Sequence, residues 1–199
     1  WQQELSAARK ERLNQALQGD LPTHTISSDA KKDDWRIELP QWCADQRNQM
    51  TGPADDLGLV VKMINSGAPG VMLDLEDSMA NTWEAVMAGV HNIIGALRGE
   101  LAYDDPKRGR VAQNTDHNVV ILNRVRGLHL SQAGIHGPRS VTSASLFDVA
   151  LIAYQLDWNT LKHPLCFYIP KSESAGEALW WRDVFQAVSK LKGWAPNAI

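Results

Sequence analysis

Three carboxylates, Asp74, Glu76 and Asp77, fall within four residues at the end of the apolar run Val71-Met-Leu-Asp-Leu-Glu-Asp77. Like charges this close repel, so a fold that keeps them must supply something positive: an arginine, a metal ion or a metal-bound water. An arginine source lies about fifty residues on, in Val119-Val-Ile-Leu-Asn-Arg-Val-Arg-Gly127. If both segments are strands, period-two alternation places Asp74 and Glu76 on one side, with Asp77 at the strand's end. The same alternation sends Arg124 and Arg126 to one side, although Gly127 already turns the chain, which favours a structural salt bridge for Arg126. A guanidinium is always charged, and its planar fork serves a carboxylate and a developing oxyanion at once. A further polar strand end, Ile169-Pro-Lys-Ser-Glu173, brings Lys171 and Glu173. There a lysine meets a phosphate or carboxylate of a substrate, or simply pairs with Glu173 at a helix start. The structural alternative for the acidic trio is an ion pair that fixes two strands.

The elements that position these residues follow from periodicity. Residues 1–18 read as a helix, with Leu5, Ala8, Leu13 and Leu17 spaced for one face, and residues 20–40 as a polar arm that crosses the main domain. Strands are expected at 49–53, 70–77, 119–126 and 166–170. Helices are expected at 55–66, from Asn81 or Thr82 to Leu97, at 145–156 and at 174–191. Residues 99–118 read as a long polar loop carrying Lys107, Arg108 and Arg110. His129 and His136 read as solvated loop residues, and Trp180-Trp181 as packing between a helix and its neighbours.

Strands that alternate with helices predict an α/β fold with a parallel sheet and right-handed crossovers. Four such strands without closure fit about half of a (β/α)8 TIM barrel, which typically needs about 250 residues. A small doubly wound sheet is the alternative, but no GxGxxG or P-loop follows a strand. In a parallel barrel the polar strand ends converge on one rim, where chemistry sits.

The 199 residues carry 20 Lys and Arg against 23 Asp and Glu, a net charge of −3, so no global field favours nucleic acid or an anionic membrane. Cys43 and Cys166 have no zinc-site spacing and read as reduced thiols, which suits a cytoplasmic address. No run is long and apolar enough to read as a membrane span. Trp1 without an initiator Met, and the ending Lys192-Gly-Trp-Ala-Pro-Asn-Ala-Ile199, read as cuts inside a longer protein. The expected division is an N-terminal helical arm over 1–44 and a partial barrel over 45–199 that continues past the last residue.

These segments, in this order, resemble those of the A-type malate synthases. The resemblance rests on Asp34-Trp35-Arg36, Asp45-Gln-Arg47 with Thr51-Gly-Pro53, Asn65-Ser-Gly-Ala68, Asp74-Leu-Glu-Asp77, Arg124-Val-Arg-Gly-Leu-His-Leu130 and Ile169-Pro-Lys-Ser-Glu-Ser174. Gln46, Val125, Leu128 and Ser172 depart from the family's usual residues without removing a charge. The resemblance implies an acyltransferase of the glyoxylate cycle that condenses acetyl-CoA with glyoxylate to give malate and CoA. It implies Arg124 as the catalytic cation. It implies Asp74, Glu76, Asp77, Arg126, Lys171 and Glu173 as residues that touch substrate or support the site, with Glu76 reaching Mg²⁺ through a water. No metal ligand is expected within this chain; the Mg²⁺ ligands are expected after Ile199. The chain alone is expected to be inactive and to self-associate through open barrel edges. A peroxisomal or glyoxysomal address stays open. The competing expectations are a CoA-ester lyase of the citrate-lyase-beta type and a non-catalytic remnant.

Overall fold

The computed structural model describes residues 2–21, 34, 36–136 and 141–199. Trp35 of the Asp-Trp-Arg motif and most of the polar arm lie outside them. In chain order the elements are α1 (Gln2–Leu17), a 3-10 turn (Gln41–Cys43), β1 (Gln49–Pro53), α2 (Leu57–Ile64), β2 (Gly70–Asp74) and α3 (Trp83–Arg98). Next come β3 (Ala102–Asp105), β4 (Gly109–Ala112), β5 (Val120–Arg124), β6 (Ser131–His136), β7 (Val141–Ser143) and α4 (Ala144–Gln155). A 3-10 turn (Trp158–Thr160), β8 (Cys166–Tyr168) and α5 (Ala175–Lys192) complete the chain.

β1, β2, β5 and β8 form one four-stranded sheet in that order, every pair parallel. Spatial order follows chain order without a reversal. Right-handed crossovers then place the connecting helices on a single face, as in a (β/α)8 barrel and unlike a doubly wound sheet. Burial agrees. Val71, Leu73, Ile121, Asn123 and Val125 face the helices and are sealed. The opposite face carries Thr51, Met72, Leu122 and Cys166 in one register row, and none of the four is fully buried.

Two apolar clusters hold the helices on. The larger joins α2, α3 and α4 to the sheet through Val60, Ile64, Val90, Ile93 and Ile152; each such side chain contributes about 1.5–3 kcal/mol on burial. The smaller joins Val125 and Leu128 to Trp180 and Trp181 of α5, with Leu5 of α1 and Ile169 packed against it. Helix starts are capped as their sequences suggest. The side chains of Asp56, Thr82 and Ser174 accept from Leu59 N, Ala85 N and Glu177 N.

Several expectations need correction. The strands are shorter than the apolar runs suggest, ending at Asp74, Arg124 and Tyr168. Glu76 and Arg126 therefore stand beyond the alternation that was to orient them. Residues 99–118 are not all loop: β3 and β4 pair antiparallel, with Tyr103 opposite Val111. Their turn is built by Asp105, whose carboxylate accepts from Lys107 N and Arg108 N, and by Gly109 at φ 72. This puts Lys107, Arg108 and Arg110 on a hairpin, with Tyr103 laid against α2 beneath Lys62. A second unexpected antiparallel pair, β6 with β7, holds His136. In α1, Leu13 and Leu17 are 59% and 78% exposed, so the supposed apolar face is not buried along its length.

Candidate active site

The C-terminal ends of the four strands bring the acidic trio and Arg124 together. Asp74 and Arg124 are register partners at the ends of β2 and β5. Beyond Asp74 the chain bends sharply, and Asp74 itself makes the bend. Its Oδ1 accepts from Glu76 N at 2.8 Å, and its Oδ2 from Ser78 Oγ at 2.6 Å and Ser78 N at 3.2 Å. Such a carboxylate-to-backbone turn swings Glu76 and Asp77 back over β5. Asp74 thus meets Arg124 as its register partner, whereas Glu76 and Asp77 reach it through a turn and not through period-two alternation.

Arg124 Nη2 donates to Asp77 Oδ2 at 2.5 Å and to Glu76 Oε2 at 2.8 Å. Its Nη1 has one long contact, 3.4 Å to Asp74 Oδ2, and its Nε is buried without a partner. The Tyr168 ring lies 5.8 Å from the guanidinium carbon. Lys171, just past β8, adds a second cation: Nζ is 2.8 Å from Asp77 Oδ1 and 3.0 Å from Glu76 Oε1. Three carboxylates thus face two cations, which leaves one negative charge uncompensated. His129 Nε2 stands 4.0 Å from Glu76 Oε1. Gly127 makes that approach possible, since a Cβ there would sit 2.5 Å from the His129 ring and 2.9 Å from Glu76 Oε1.

The charges tune one another. The Lys171 ammonium first, and Arg124 second, hold the Asp77 carboxyl below its ordinary range. Lys171 is raised in return, chiefly by Asp77 and then by Glu76. Burial works against the Arg124 charge, but Asp77, Asp74 and Glu76 outweigh it and raise the guanidinium further. Nε is sealed, so the weakly engaged Nη1 is the donor that one more oxyanion at this strand-end mouth would use.

Three of the named residues are engaged elsewhere. Arg126 is 1% exposed and spends its guanidinium on structure. Its Nε and Nη2 donate to Asp148, Nη2 also to Gln132 Oε1 at 2.6 Å, and Nη1 to Asn81 Oδ1 at 2.7 Å. Glu173 does not pair with Lys171. Its carboxylate lies 3.4 Å from Arg9 Nη1 and its amide donates to Glu177. Arg47 pairs with Asp45 before β1, at the opposite end of the sheet from Arg124.

The sequence reading passed over Tyr168, which alternation within Cys-Phe-Tyr would have placed beside Arg124. It also passed over Asp148, Glu177 and Arg9. Nothing local marks these three, because each partner lies 22 or more residues away. Among the described residues no group of three or more His, Cys, Asp or Glu side chains could hold a metal ion, and no helix is long and apolar enough to cross a membrane.

Comparison with known proteins supplies the context for this mouth. Residues 120–199 match the malate synthase TIM barrel domain family. The glyoxysomal malate synthase of Zea mays is 32% identical over 199 residues, covering 96% of this chain and 35% of that protein. Malate synthase A of Escherichia coli K12 is 33% identical over 91% of the chain and 34% of its own length. A bifunctional glyoxylate cycle protein of Caenorhabditis elegans is 33% identical over 83% of the chain and 17% of its length. The chain thus spans about a third of the first two relatives.

Proposed function

We infer that this chain, which belongs with the malate synthases over the segment it shares with them, supplies the anion-stabilising rim of an acyltransferase. The reaction is condensation of acetyl-CoA with glyoxylate to malate and CoA. The carrying observation is Arg124, held by carboxylates at Nη2 while Nε has no partner and Nη1 only a long one. Loss of a proton alpha to a thioester builds negative charge on the thioester oxygen. A pre-placed guanidinium stabilises that charge without reorganising at the moment of reaction. Glu76 and Asp77 fix the guanidinium plane, and Asp74 fixes the turn that carries them. Lys171 tempers the local excess of negative charge and stands where a substrate carboxylate or CoA phosphate would approach.

Mg²⁺ belongs to the proposal only through the resemblance. The carboxylates at this mouth already serve Arg124, Lys171 and Ser78, and the described residues hold no three-donor cluster. These residues do not by themselves fit a magnesium centre. Self-association through the unpaired edges of β1 and β8 is likewise part of the proposal.

The test is malate formation from glyoxylate and acetyl-CoA, measured for this chain and for a longer chain carrying a complete barrel. Turnover is expected only in the longer chain. Absence of malate from a folded, complete barrel that binds both substrates would overturn the reading.

A further inference from the structure

α1 reaches the mouth indirectly, through arginines. Arg9 Nε and Nη2 donate to the two oxygens of Glu177 at 2.6 and 2.7 Å. The same Nη2 donates to the Lys171 carbonyl at 2.7 Å. One turn on, Arg12 Nη1 donates to the Glu173 carbonyl at 2.7 Å, while Glu177 Oε2 accepts from Glu173 N at 3.0 Å. Leu5 packs beside Gly176 and the tryptophans of α5. The backbone from Lys171 to Glu173 is therefore gripped by α1 and α5 together. The grip coincides with an unusual conformation: Lys171 has φ 51, the only non-glycine with positive φ among the described residues. An L residue other than glycine adopts that region at a cost, and holds it where its surroundings over-determine it. From this backbone the Lys171 side chain reaches Glu76 and Asp77.

We propose that Arg9 is a positioning residue for the mouth. By holding Glu177 and the Lys171 carbonyl together, it places the Lys171 ammonium on Glu76 and Asp77, and so sets how much carboxylate charge falls on Arg124. A half-exposed lysine ion pair is weak and entropically costly when its backbone is free. Its occupancy depends on the backbone that presents it, and Arg9 anchors that backbone. Without Lys171 in place, three carboxylates would face Arg124 alone. The catalytic consequence rests on the proposed function, but the positioning is tested without turnover.

The experiment is competitive acetylation of the folded chain with trace acetic anhydride, read by mass spectrometry, beside thermal unfolding. The anhydride attacks the unprotonated amine, so an ammonium held between two carboxylates reacts slowly. In the unaltered chain Lys171 is expected to be protected relative to the exposed Lys10. Arg9→Met should abolish that protection while unfolding stays cooperative. Arg9→Lys keeps a charge opposite Glu177, but one ammonium does not reproduce the two-edged fork, so part of the protection should go; this variant decides the matter if Arg9→Met fails to fold. Full protection of Lys171 in the folded variants, even with a lowered Tm, would make Arg9 a clamp only and overturn the proposal. So would a Lys171 as reactive as Lys10 in the unaltered chain. Failure of malate formation would sink the proposed function and leave this measurement standing.

Discussion

Arg124 and Arg126 stand two residues apart, and they have opposite surroundings. Arg126 is 1% exposed and matched: Asp148 takes it side-on, and Asn81 and Gln132 occupy the remaining edges. Arg124 is partly open and mismatched: two carboxylates crowd Nη2, a third makes only a long contact to Nη1, and Nε has no partner. The cause is the end of β5. Arg124 is its last residue and points with Asp74 into the mouth. Arg126 N instead donates to Asp148 Oδ2, which draws the chain under α4. A guanidinium whose donors are all satisfied builds the fold. One that is partly open, with a weakly engaged Nη1 among charges it does not balance, is available to a ligand.

Breaking the matched pair should give the largest effect. Arg126→Met leaves Asp148 buried and unpaired, and should cost about 3–5 kcal/mol in urea denaturation of this chain. Adding Asp148→Leu should recover much of that loss, because two apolar groups leave no orphaned charge. A single variant as stable as the parent would erase the contrast between the two arginines.

The Arg9–Glu177 pair is intermediate, linking a helix to the barrel. Burial pushes the Glu177 carboxyl up, but the Arg9 hydrogen bonds and the Glu173 amide outweigh it, leaving it below its usual range. A lowered folded-state pKa means that the contribution is complete above the unfolded value near 4.5 and fades as pH falls through the folded one. Glu177→Gln should therefore cost about 1–3 kcal/mol at pH 7. Thermal unfolding of parent and variant should converge under acidic conditions well below pH 4.5. A gap that stays constant with pH would show that the charge of Glu177 does not matter.

Asp77→Asn should give the smallest effect on stability. Its side chain is 53% exposed, and its partners are within reach of solvent and salt. No resolved change in Tm is expected at physiological salt. A large drop would move the mouth from the functional region of the molecule to the structural one.

The sequence made the scaffold legible because its apolar runs obey the periods of buried strands and amphipathic helices. Val71 and Leu73 on β2, and Val86, Val90 and Ile93 on α3, mark faces that leave little choice. The meeting of Arg124 with the acidic trio was legible for the same reason, since parallel strands share one C-terminal end. The details were not. Glu76 and Asp77 arrive through a turn set by Asp74 and Ser78, a hydrogen-bond choice that strand alternation does not encode. The β3–β4 hairpin rests mainly on Tyr103 and Val111, too few apolar positions to show a period of two. Asp148 and Glu177 are acids on amphipathic helices. Only the tertiary fold reveals that each is buried against an arginine.

The most direct test compares Arg124→Lys with Arg126→Lys in one protein that carries the complete barrel, measuring kcat and unfolding free energy for both. For position 124 a loss of about 10²-fold or more in kcat is predicted, comparable to removing one oxyanion donor, with stability little changed. For position 126 the main loss is predicted in stability, because a point charge does not replace the fork on Asp148, Asn81 and Gln132. An unchanged kcat for Arg124→Lys, or the two effects exchanged between the two positions, would contradict the account.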